Sequence, residues 1–366
     1  MRITGVETFP ITLTLKNPVK MAHITITESH NLLVKVTTDD GIVGWGEGVT
    51  AARLTGETQG RIEAAVEYLS RLVMGEDPLA RNRLWLRMTS ALHENGTAIG
   101  AIDIALADIA GKAHGVPVHQ LLGGAVRDVV GAITMVGSGN PQADAHEAAE
   151  KYSAGYRWFK IKLGLTDQAT ELETVRAVCE AVPSDAVIGA DANEAWQEAD
   201  AITFISRLDG LPVRFLEQPV PSDQPDALIR IAERVPIAIC ADQSVHSLHD
   251  IIRFGASAVA GVSLKLVKLG GITGVMRGAH LCEALNMHIN LAGKVAETSV
   301  AAAANVHAAA AMHDFRYGTS PANQGLEADI TVDPLLLTGG VYEVPSGPGL
   351  GVEVDEGLVE SLRSGS

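Results

Sequence analysis

The 366-residue sequence has few aromatic residues, few cysteines and no long apolar run. Aromatic residues make up 4% of the chain, so the core must be built mainly from Ala, Val, Ile and Leu. The cysteines at 179, 240 and 282 lie far apart and include no CxxC pair, which argues against a disulfide framework and against a zinc site. Because no apolar stretch reaches the length of a membrane span, no membrane partner is expected.

Positive charge is also scarce in this sequence. The formal net charge is −16, and nucleic-acid binding requires clustered positive charge, so no nucleic-acid partner is expected. The first fifteen residues, MRITGVETFPITLTL, alternate like a strand and lack the basic region and apolar run of a signal peptide. Separated cysteines suit a reducing compartment, and the expected location is the cytoplasm.

The first third of the chain has the pattern of a small α+β unit. Alternation in residues 2–14 and 31–38 predicts two strands, and Asp39-Asp40-Gly41 predicts the turn of a hairpin. From about residue 60 to residue 114 the apolar spacing becomes helical, and Gly115-Val116-Pro117 ends that pattern.

After Gly124, short β-rich runs alternate with helical stretches until about residue 320. The runs start about 25 to 30 residues apart, the length of one strand plus a crossover helix. They are residues 129–136, 158–163, 186–191, 213–217, 237–242, 261–265, 288–292 and 314–319. This pattern predicts an α/β fold, a (β/α)7–8 TIM-type barrel with an α+β N-terminal capping domain. A doubly wound open sheet is the alternative, but no GxGxxG follows the first strand.

The change of pattern also predicts the domain organisation. Residues 1–124 are expected to form the capping domain and residues 125–338 the modified barrel. The tail, residues 339–366, begins with a strand-like run at 340–344, continues through a Pro/Gly-rich segment, and is expected to pack on the capping domain. The alanine-rich stretch 301–311 is expected to be a tightly packed helix, because Ala has the highest helix propensity.

Acidic residues close three successive predicted strands. Asp191, Glu217 and Asp242 each follow an apolar run, at separations of 26 and 25 residues. In a TIM barrel the active site lies at the C-terminal ends of the strands, so these side chains are expected to meet there. Carboxylates held close together repel each other, and a hard divalent cation relieves that repulsion. The sequence therefore predicts a Mg²⁺ site, with Mn²⁺ as a substitute.

Lysines close two further predicted strands. Lys160 and Lys162 are two residues apart and share one face of a strand, while Lys265 ends a strand that lies across the barrel axis. Lys162 and Lys265 would then flank a small carboxylate substrate on the metal. One neutral lysine can remove the proton next to the carboxylate while the metal stabilises the resulting enolate.

These residues resemble the enolase superfamily and, within it, the muconate-lactonizing subgroup. The matching motifs follow the family's order through nearly the whole chain, at residues 40–47, 56–58, 121–124, 160–162, 191–193, 217–219, 241–244, 265–271 and 347–352. The resemblance implies Asp191, Glu217 and Asp242 as Mg²⁺ ligands. It also implies Lys162 and Lys265 as paired acid/base groups with Lys160 as an electrostatic helper, and a homo-oligomeric assembly.

Two positions depart from the family pattern. Gln243 stands where many relatives have an acid directly after the third ligand, which changes the surroundings of the ligands and leaves the ligands themselves intact. Lys294 stands where relatives usually have a neutral residue after the seventh strand. It either adds a cation to the pocket or forms a structural ion pair with Glu297.

Further candidate substrate contacts come from the resemblance. Lys20 and Met21 lie where relatives carry a loop that covers the substrate, although Lys20 also fits a solvated surface charge. Asn193 follows the first proposed ligand by two residues and is a candidate contact in the pocket.

The resemblance implies proton abstraction but leaves the overall reaction open. A muconate-type cycloisomerase is the first hypothesis, because the segment around Lys20 resembles those enzymes. A racemase or epimerase of N-acyl amino acids or dipeptides is the alternative, since opposed lysines suit it. Asp314 lies too early to supply the acidic motif that dipeptide epimerases carry at strand eight. A dehydratase is disfavoured because Lys265 replaces a His-Asp dyad, and an inactive scaffold is disfavoured because clustered charge is costly unless used.

Overall fold

The computed structural model describes residues 1–21, 24–314 and 316–363, without the side chains of residues 20, 21 and 24. The N-terminal unit contains β1 (Ile3–Met21), β2 (Ile24–Thr38), β3 (Val43–Gly48), α1 (Ala52–Thr55), α2 (Gln59–Val73), α3 (Arg81–Ala91), α4 (Gly96–His114) and α5 (Val118–Leu121). The strands form an antiparallel sheet in the order β1-β2-β3.

The predicted hairpin and helix end are both confirmed. Between β2 and β3 the Thr38 hydroxyl donates to the Asp40 carboxylate at 2.6 Å, and Gly41 takes a φ of 83° that favours glycine. At the other end of the unit, α4 stops at Gly115, whose left-handed conformation is a common helix C-terminus.

A parallel barrel follows the N-terminal unit, as the spacing of the apolar runs predicts. After β4 (Val129–Gly131), its strands are β5 (Ile133–Val136), β6 (Trp158–Lys162), β7 (Val187–Asp191), β8 (Val213–Glu217), β9 (Ala238–Ala241), β10 (Gly261–Leu264), β11 (His288–Ala292) and β12 (Thr319–Ser320). The helices between and after them are α6 (Pro141–Ser153), α7 (Gln168–Ala181), α8 (Glu198–Ser206), α9 (Pro225–Ala232), α10 (Leu248–Gly255), α11 (Leu266–Leu269), α12 (Gly271–Ala284) and α13 (Ser299–Ala311). Each strand from β5 to β12 pairs with the next, and a parallel bridge between Ala132 and Thr319 nearly closes the ring.

The first and last predicted barrel strands are wrong in their bounds. The run 129–136 divides at Ala132, whose N–H donates to the Gly340 carbonyl at 2.9 Å, because a strand from the tail pairs with the first half of the run. Among the described residues of the run 314–319, strand β12 begins only at Thr319. The Asp314 carboxylate accepts the Ile289 N–H, and Gly318 has a φ of 77°, so the chain turns before it enters the barrel.

The tail joins the barrel first and the N-terminal unit afterwards. β13 (Leu337–Thr338) directly precedes the tail, which contains β14 (Val341–Glu343) and α14 (Glu356–Ser361). The strand predicted at 340–344 is β14, which pairs antiparallel with β4. Further along, the Leu350 N–H donates to Asp108 of α4 at 2.9 Å, and Glu356 pairs with Lys35 of β2 at 2.8 Å. The tail therefore contacts the N-terminal unit after β14, while an earlier segment already contacts β1 through the antiparallel bridge between Leu326 and Leu15.

A buried carboxylate fastens the N-terminal sheet to the barrel. Glu47 of β3 is 2% exposed, and it accepts hydrogen bonds from the backbone N–H groups of Thr298 and Ala301 at the start of α13. The Asn31 amide also donates to it at 2.7 Å. Burial raises the pKa of Glu47 to about 7, although these donors favour the charged form. The contact sets the sheet over the ends of the barrel strands.

The predicted alanine-rich helix is confirmed as α13, which is buried along most of its length. Its small alanine side chains allow the helix to pack closely against its neighbours. Among the described residues, no helix is long and apolar enough to cross a membrane.

Replacing Gly46 with alanine should destabilise the N-terminal unit. A Cβ at Gly46 would lie 1.9 Å from the carbonyl oxygen of Ala101 and 2.9 Å from the amide nitrogen of Ala105, both backbone atoms of α4. Helix backbone cannot rotate away as a side chain can, so we expect the free energy of unfolding to fall by about 3 kcal/mol in urea denaturation.

Gly60→Ala provides the matched control for this substitution. Gly60 is exposed at the start of α2, and a Cβ there would meet no atom within 4 Å. Alanine favours helix over glycine by up to about 1 kcal/mol, so this variant should keep or slightly raise the stability. Equal unfolding midpoints for the two variants would contradict the close packing of β3 on α4.

Candidate active site

Three buried carboxylates lie at the carboxyl ends of adjacent barrel strands. Asp191 ends β7 and Glu217 ends β8, and their Cα atoms are direct partners in the parallel ladder. Asp242 comes immediately after β9. The three residues are 3%, 1% and 2% exposed. The strand register therefore places all three acids at one end of the barrel.

Sharp backbone turns follow the first two acids. Asn193 and Gln218 have φ values of 44° and 34°, a left-handed region that non-glycine residues rarely adopt. The Gln218 side-chain oxygen accepts the Asp242 N–H at 2.9 Å, so the turn after β8 also fixes the start of the loop that carries the third acid. Such strain is typical of functional sites whose surroundings hold the conformation in place.

Each carboxylate contacts a lysine ammonium. Lys162 Nζ donates to Asp191 Oδ2 at 2.7 Å, Lys265 Nζ donates to Asp242 Oδ2 at 2.5 Å, and Lys160 donates to Glu217. The pairing of β6 with β7 places Lys162 beside Asp191, because the Cα atoms of the two residues are direct partners. The six predicted charged residues are thus brought together in three pairs.

Nearby opposite charges keep Lys160 and Asp242 ionised in spite of their burial. Burial alone would lower the pKa of Lys160, but Glu217 and the other two acids raise it above the ordinary value. For Asp242, burial opposes ionisation, and the nearby Lys265 and Lys268 hold its pKa well below the usual range. Lys160 is therefore a cation at neutral pH and cannot accept a proton.

The donor set fits a hard divalent cation. Three carboxylates on adjacent strands provide the oxygen ligands that Mg²⁺ prefers, with coordination places left for water or substrate. Among residues 1–21, 24–314 and 316–363, no three acidic, His or Cys side chains are already gathered in metal-binding geometry. The carboxylates instead contact lysines, and the flexible side chains of Lys162 and Lys265 can withdraw when a stronger cation enters.

Lys162 and Lys265 approach one cavity from strands on opposite sides of the barrel. They belong to β6 and to the end of β10, which are four strands apart in the ring, as the sequence predicts. The cavity has a volume of about 380 Å³, within the usual range for small-molecule sites. Residues 25–30 and 50–54 of the N-terminal unit form its other wall.

The other candidate contacts divide into three groups. Asn193 lines the cavity and accepts from Lys162 Nζ at 2.9 Å, and Lys294 also lines the cavity. Glu297 does not line it. Its buried carboxylate accepts the Lys294 backbone N–H at 3.0 Å and forms no ion pair with the Lys294 ammonium in the described part of the chain. The side chains of Lys20 and Met21 lie outside the described residues.

Gln243, the other departure from the family pattern, also lines the cavity. Its side-chain oxygen is buried and accepts no hydrogen bond from the described residues. A carboxylate at this position would add a fourth negative charge beside Asp242. The amide therefore leaves the site less negative than a carboxylate would, while it still provides an oxygen.

Sequence reasoning missed three polar residues that support the acids. Lys268 of α11 donates to Asp242 Oδ1 at 2.9 Å and to its backbone carbonyl. Ser263 donates to Glu217 at 2.5 Å, and Asn290, the ladder partner of Ser263, donates to Ser263 at 2.8 Å. Ser263 lies two residues before Lys265, so the period of two that links Lys160 to Lys162 would have found it.

Asp314 lies away from the cavity, as its early position in the sequence predicts. Its carboxylate contacts His288 and Ile289 at the start of β11, the opposite end of the strand from Lys294. The residues that form and follow β12, Thr319-Ser320-Pro321-Ala322-Asn323, include no acid. This side of the pocket therefore provides no carboxylate for a substrate ammonium.

Comparison with known proteins gives matches along nearly the whole chain. The mandelate racemase / muconate lactonizing enzyme N-terminal domain matches residues 3–123, and the enolase C-terminal domain-like family matches residues 143–358. An N-succinyl-L-Arg/Lys racemase of Bacillus cereus is 31% identical, with 99% of this chain and 98% of the relative covered. A chloromuconate cycloisomerase of Cupriavidus pinatubonensis is also 31% identical, with 97% of each chain covered.

A solved structure resembles this fold closely. The dipeptide epimerase of Cytophaga hutchinsonii, complexed with Mg and the dipeptide D-Ala-L-Val, superposes with a TM-score of 0.92 at 26% identity and covers 99% of each chain. The order of the strands, the two family matches and these relatives agree with the motifs in the sequence. The chain is an enzyme of the enolase superfamily and belongs to its muconate-lactonizing subgroup.

Proposed function

We propose that this enzyme is a Mg²⁺-dependent isomerase that removes a proton next to a substrate carboxylate, with a muconate-type cycloisomerisation as the overall reaction. The observation that carries the proposal is the placement of Lys162 and Lys265 on opposite sides of one cavity, each beside a buried carboxylate. A substrate held between them presents its α-proton to one lysine or the other.

Asp191, Glu217 and Asp242 are the proposed ligands of Mg²⁺, and Mn²⁺ is the expected substitute because it shares a preference for oxygen ligands. When bound there, the cation supplies positive charge that stabilises the substrate carboxylate as the proton leaves. The protein's own contribution is to hold the three acids at one height through the β7–β8–β9 register. Lys268, Ser263 and Asn290 keep the acids oriented.

The lysines have different proposed tasks. Lys162 and Lys265 line the cavity, and each must release its carboxylate contact before it can act as a neutral base or as an acid. Lys160 stays bound to Glu217 and protonated, so it acts as a fixed positive charge beside the reacting group. Asn193 accepts from Lys162 Nζ and orients that amine towards the cavity.

A racemase or epimerase of N-acyl amino acids is the second candidate, and the opposed lysines favour it directly. One lysine removes the proton and the other returns it to the opposite face. A racemase and a cycloisomerase are each 31% identical to this chain, so sequence identity does not distinguish the two reactions. Incubation with muconates and N-succinyl amino acids in deuterated water separates them, since lactone formation indicates cycloisomerisation and deuterium uptake without lactone indicates racemisation.

The organisation of the chain is also part of the proposal. Residues 1–124 with the tail 339–366 form the capping domain and residues 125–338 the catalytic domain, supported by the contacts from Leu350 to Asp108 and from Glu356 to Lys35. A cytoplasmic homo-oligomer is proposed from the family and from the separated cysteines. Light scattering of the purified protein tests the oligomer.

Lys162→Ala should lower the rate of α-proton exchange by about 100- to 10,000-fold, the usual contribution of a general base. Exchange is measured by NMR in deuterated water with Mg²⁺ present. Lys151→Ala is the matched control, because Lys151 lies on α6 outside the cavity lining, and it should exchange at the wild-type rate. Undiminished exchange in Lys162→Ala would remove this lysine from the base role.

Asp191→Asn should weaken Mg²⁺ binding by at least about 100-fold, because an amide oxygen lacks the full negative charge of a ligand carboxylate. The amide retains an oxygen that can accept the Asn193 N–H, so the fold should be kept. Isothermal calorimetry measures the affinity. The exposed Asp200→Asn on α8 is the control and should bind as the wild type does. An unchanged affinity in Asp191→Asn would refute the ligand assignment.

A further inference from the structure

Lys294 is a cation in the cavity that the proposed reaction does not use. It follows β11 by two residues and lines the same cavity as Lys162 and Lys265. Among the described residues, its ammonium has no ion pair and no hydrogen bond, whereas Lys160, Lys162 and Lys265 each contact a carboxylate. A half-buried amine without a partner is costly, because burial removes water from the charge.

The neighbouring acid forms no direct ion pair with this ammonium in the described part of the chain. Glu297 is 2% exposed and accepts the backbone N–H groups of Lys294 and Ala322, each at 3.0 Å. Its oxygens also contact the Asn305 amide nitrogen at 3.3 Å. Burial raises the pKa of Glu297 to about 8, so the carboxyl group is mostly neutral at pH 7. Glu297 shapes the loop that carries Lys294 and leaves the ammonium unpaired.

The remaining acids on the cavity wall are also engaged or exposed. Glu194 accepts the Ser222 N–H at 2.7 Å and lies 3.9 Å from Arg53. Glu28 is about half exposed beside His30, on the wall that the N-terminal unit provides. Burial and the repulsion of Lys265 and Lys162 lower the pKa of Lys294 to about 8. An anion brought into the cavity would relieve that repulsion.

We propose that Lys294 binds a second anionic group of the substrate, at a distance from the carboxylate whose α-proton is removed. This inference rests on the proposed function and narrows its substrate class to dianions, such as a dicarboxylate or an N-acyl amino acid whose acyl chain ends in a carboxylate. A dipeptide would bring its ammonium group into a cavity with an unpaired cation and no acid after β12. Like-charge repulsion excludes dipeptides as good substrates.

The test compares a dianion with a monoanionic analogue of the same shape, in which a carboxamide replaces the distal carboxylate. One pair is an N-succinyl amino acid and its distal carboxamide; the other is cis,cis-muconate and its monoamide. Dissociation constants are measured by calorimetry with Mg²⁺ for the wild type, Lys294→Met and Lys294→Arg. Proton exchange is followed for the N-succinyl pair and lactone formation for the muconate pair. Lys294→Met keeps the length of the side chain without its charge, and Lys294→Arg keeps the charge.

The wild type should bind the dianion of at least one pair about 10-fold or more tightly than its amide, equivalent to about 1.4 kcal/mol. Lys294→Met should lose this preference through weaker binding of the dianion, and Lys294→Arg should retain most of it. A wild type that binds both members of each pair equally, or binds neither, overturns the inference. So does a preference that survives in Lys294→Met.

The thermal unfolding temperature without substrate is a second measurement. If Lys294 formed a structural ion pair, its loss would lower this temperature. Because Lys294 is repelled by Lys162 and Lys265, Lys294→Met should unfold at the same or a higher temperature than the wild type. A fall of several degrees would show that Lys294 has a structural partner and would overturn the inference. Dianion preference without proton exchange and without lactone formation would refute the proposed reaction alone. Turnover without that preference would refute the Lys294 assignment alone.

Discussion

Three carboxylates buried at the ends of neighbouring strands are the constraint on which this site depends. Asp191, Glu217 and Asp242 are almost fully removed from water, and each would be strongly disfavoured as an anion without a nearby cation. In this structure the cations are lysines from strands on either side and from α11. The same requirement explains why the acids fit Mg²⁺, since a divalent cation neutralises them more compactly than lysine chains do.

The N-terminal unit completes the site by covering it. Glu47 of β3 accepts backbone N–H groups at the start of α13, a helix that follows the loop carrying Lys294. The same sheet provides residues 25–30 of the cavity wall, through β2. A contact that is structural on one side of β3 therefore also fixes the volume available to the substrate. Specificity in such a design depends on what the cap and the strand ends present together.

Much of this arrangement could be predicted from the sequence because it follows from local periodicity. The spacing of apolar runs predicts the barrel, and the position of each acid at the end of a run predicts the site. The two-residue period of a β-strand places Lys160 and Lys162 on one face, and the same period relates Ser263 to Lys265. Residues close in sequence were therefore sufficient to predict a site residue wherever the strand sets the direction of its side chain.

Long-range competition decided the features that local patterns missed. The strand predicted at 129–136 divides because β14, some two hundred residues later, pairs with its first half. Glu297 does not pair with the Lys294 ammonium, because Ala322 and Asn305 hold its carboxyl group. Neither the pairing of β14 nor the hydrogen bonds of Glu297 can be inferred from the residues adjacent in sequence.

The proposed reaction requires that the three acids hold one divalent cation between the two opposing lysines. Anomalous diffraction from crystals grown with Mn²⁺ locates that cation. We expect a single strong peak within about 2.5 Å of oxygens from Asp191, Glu217 and Asp242, with Lys162 and Lys265 drawn back from their carboxylates. No peak at the three acids, or a peak elsewhere with the lysine contacts unchanged, would contradict the account.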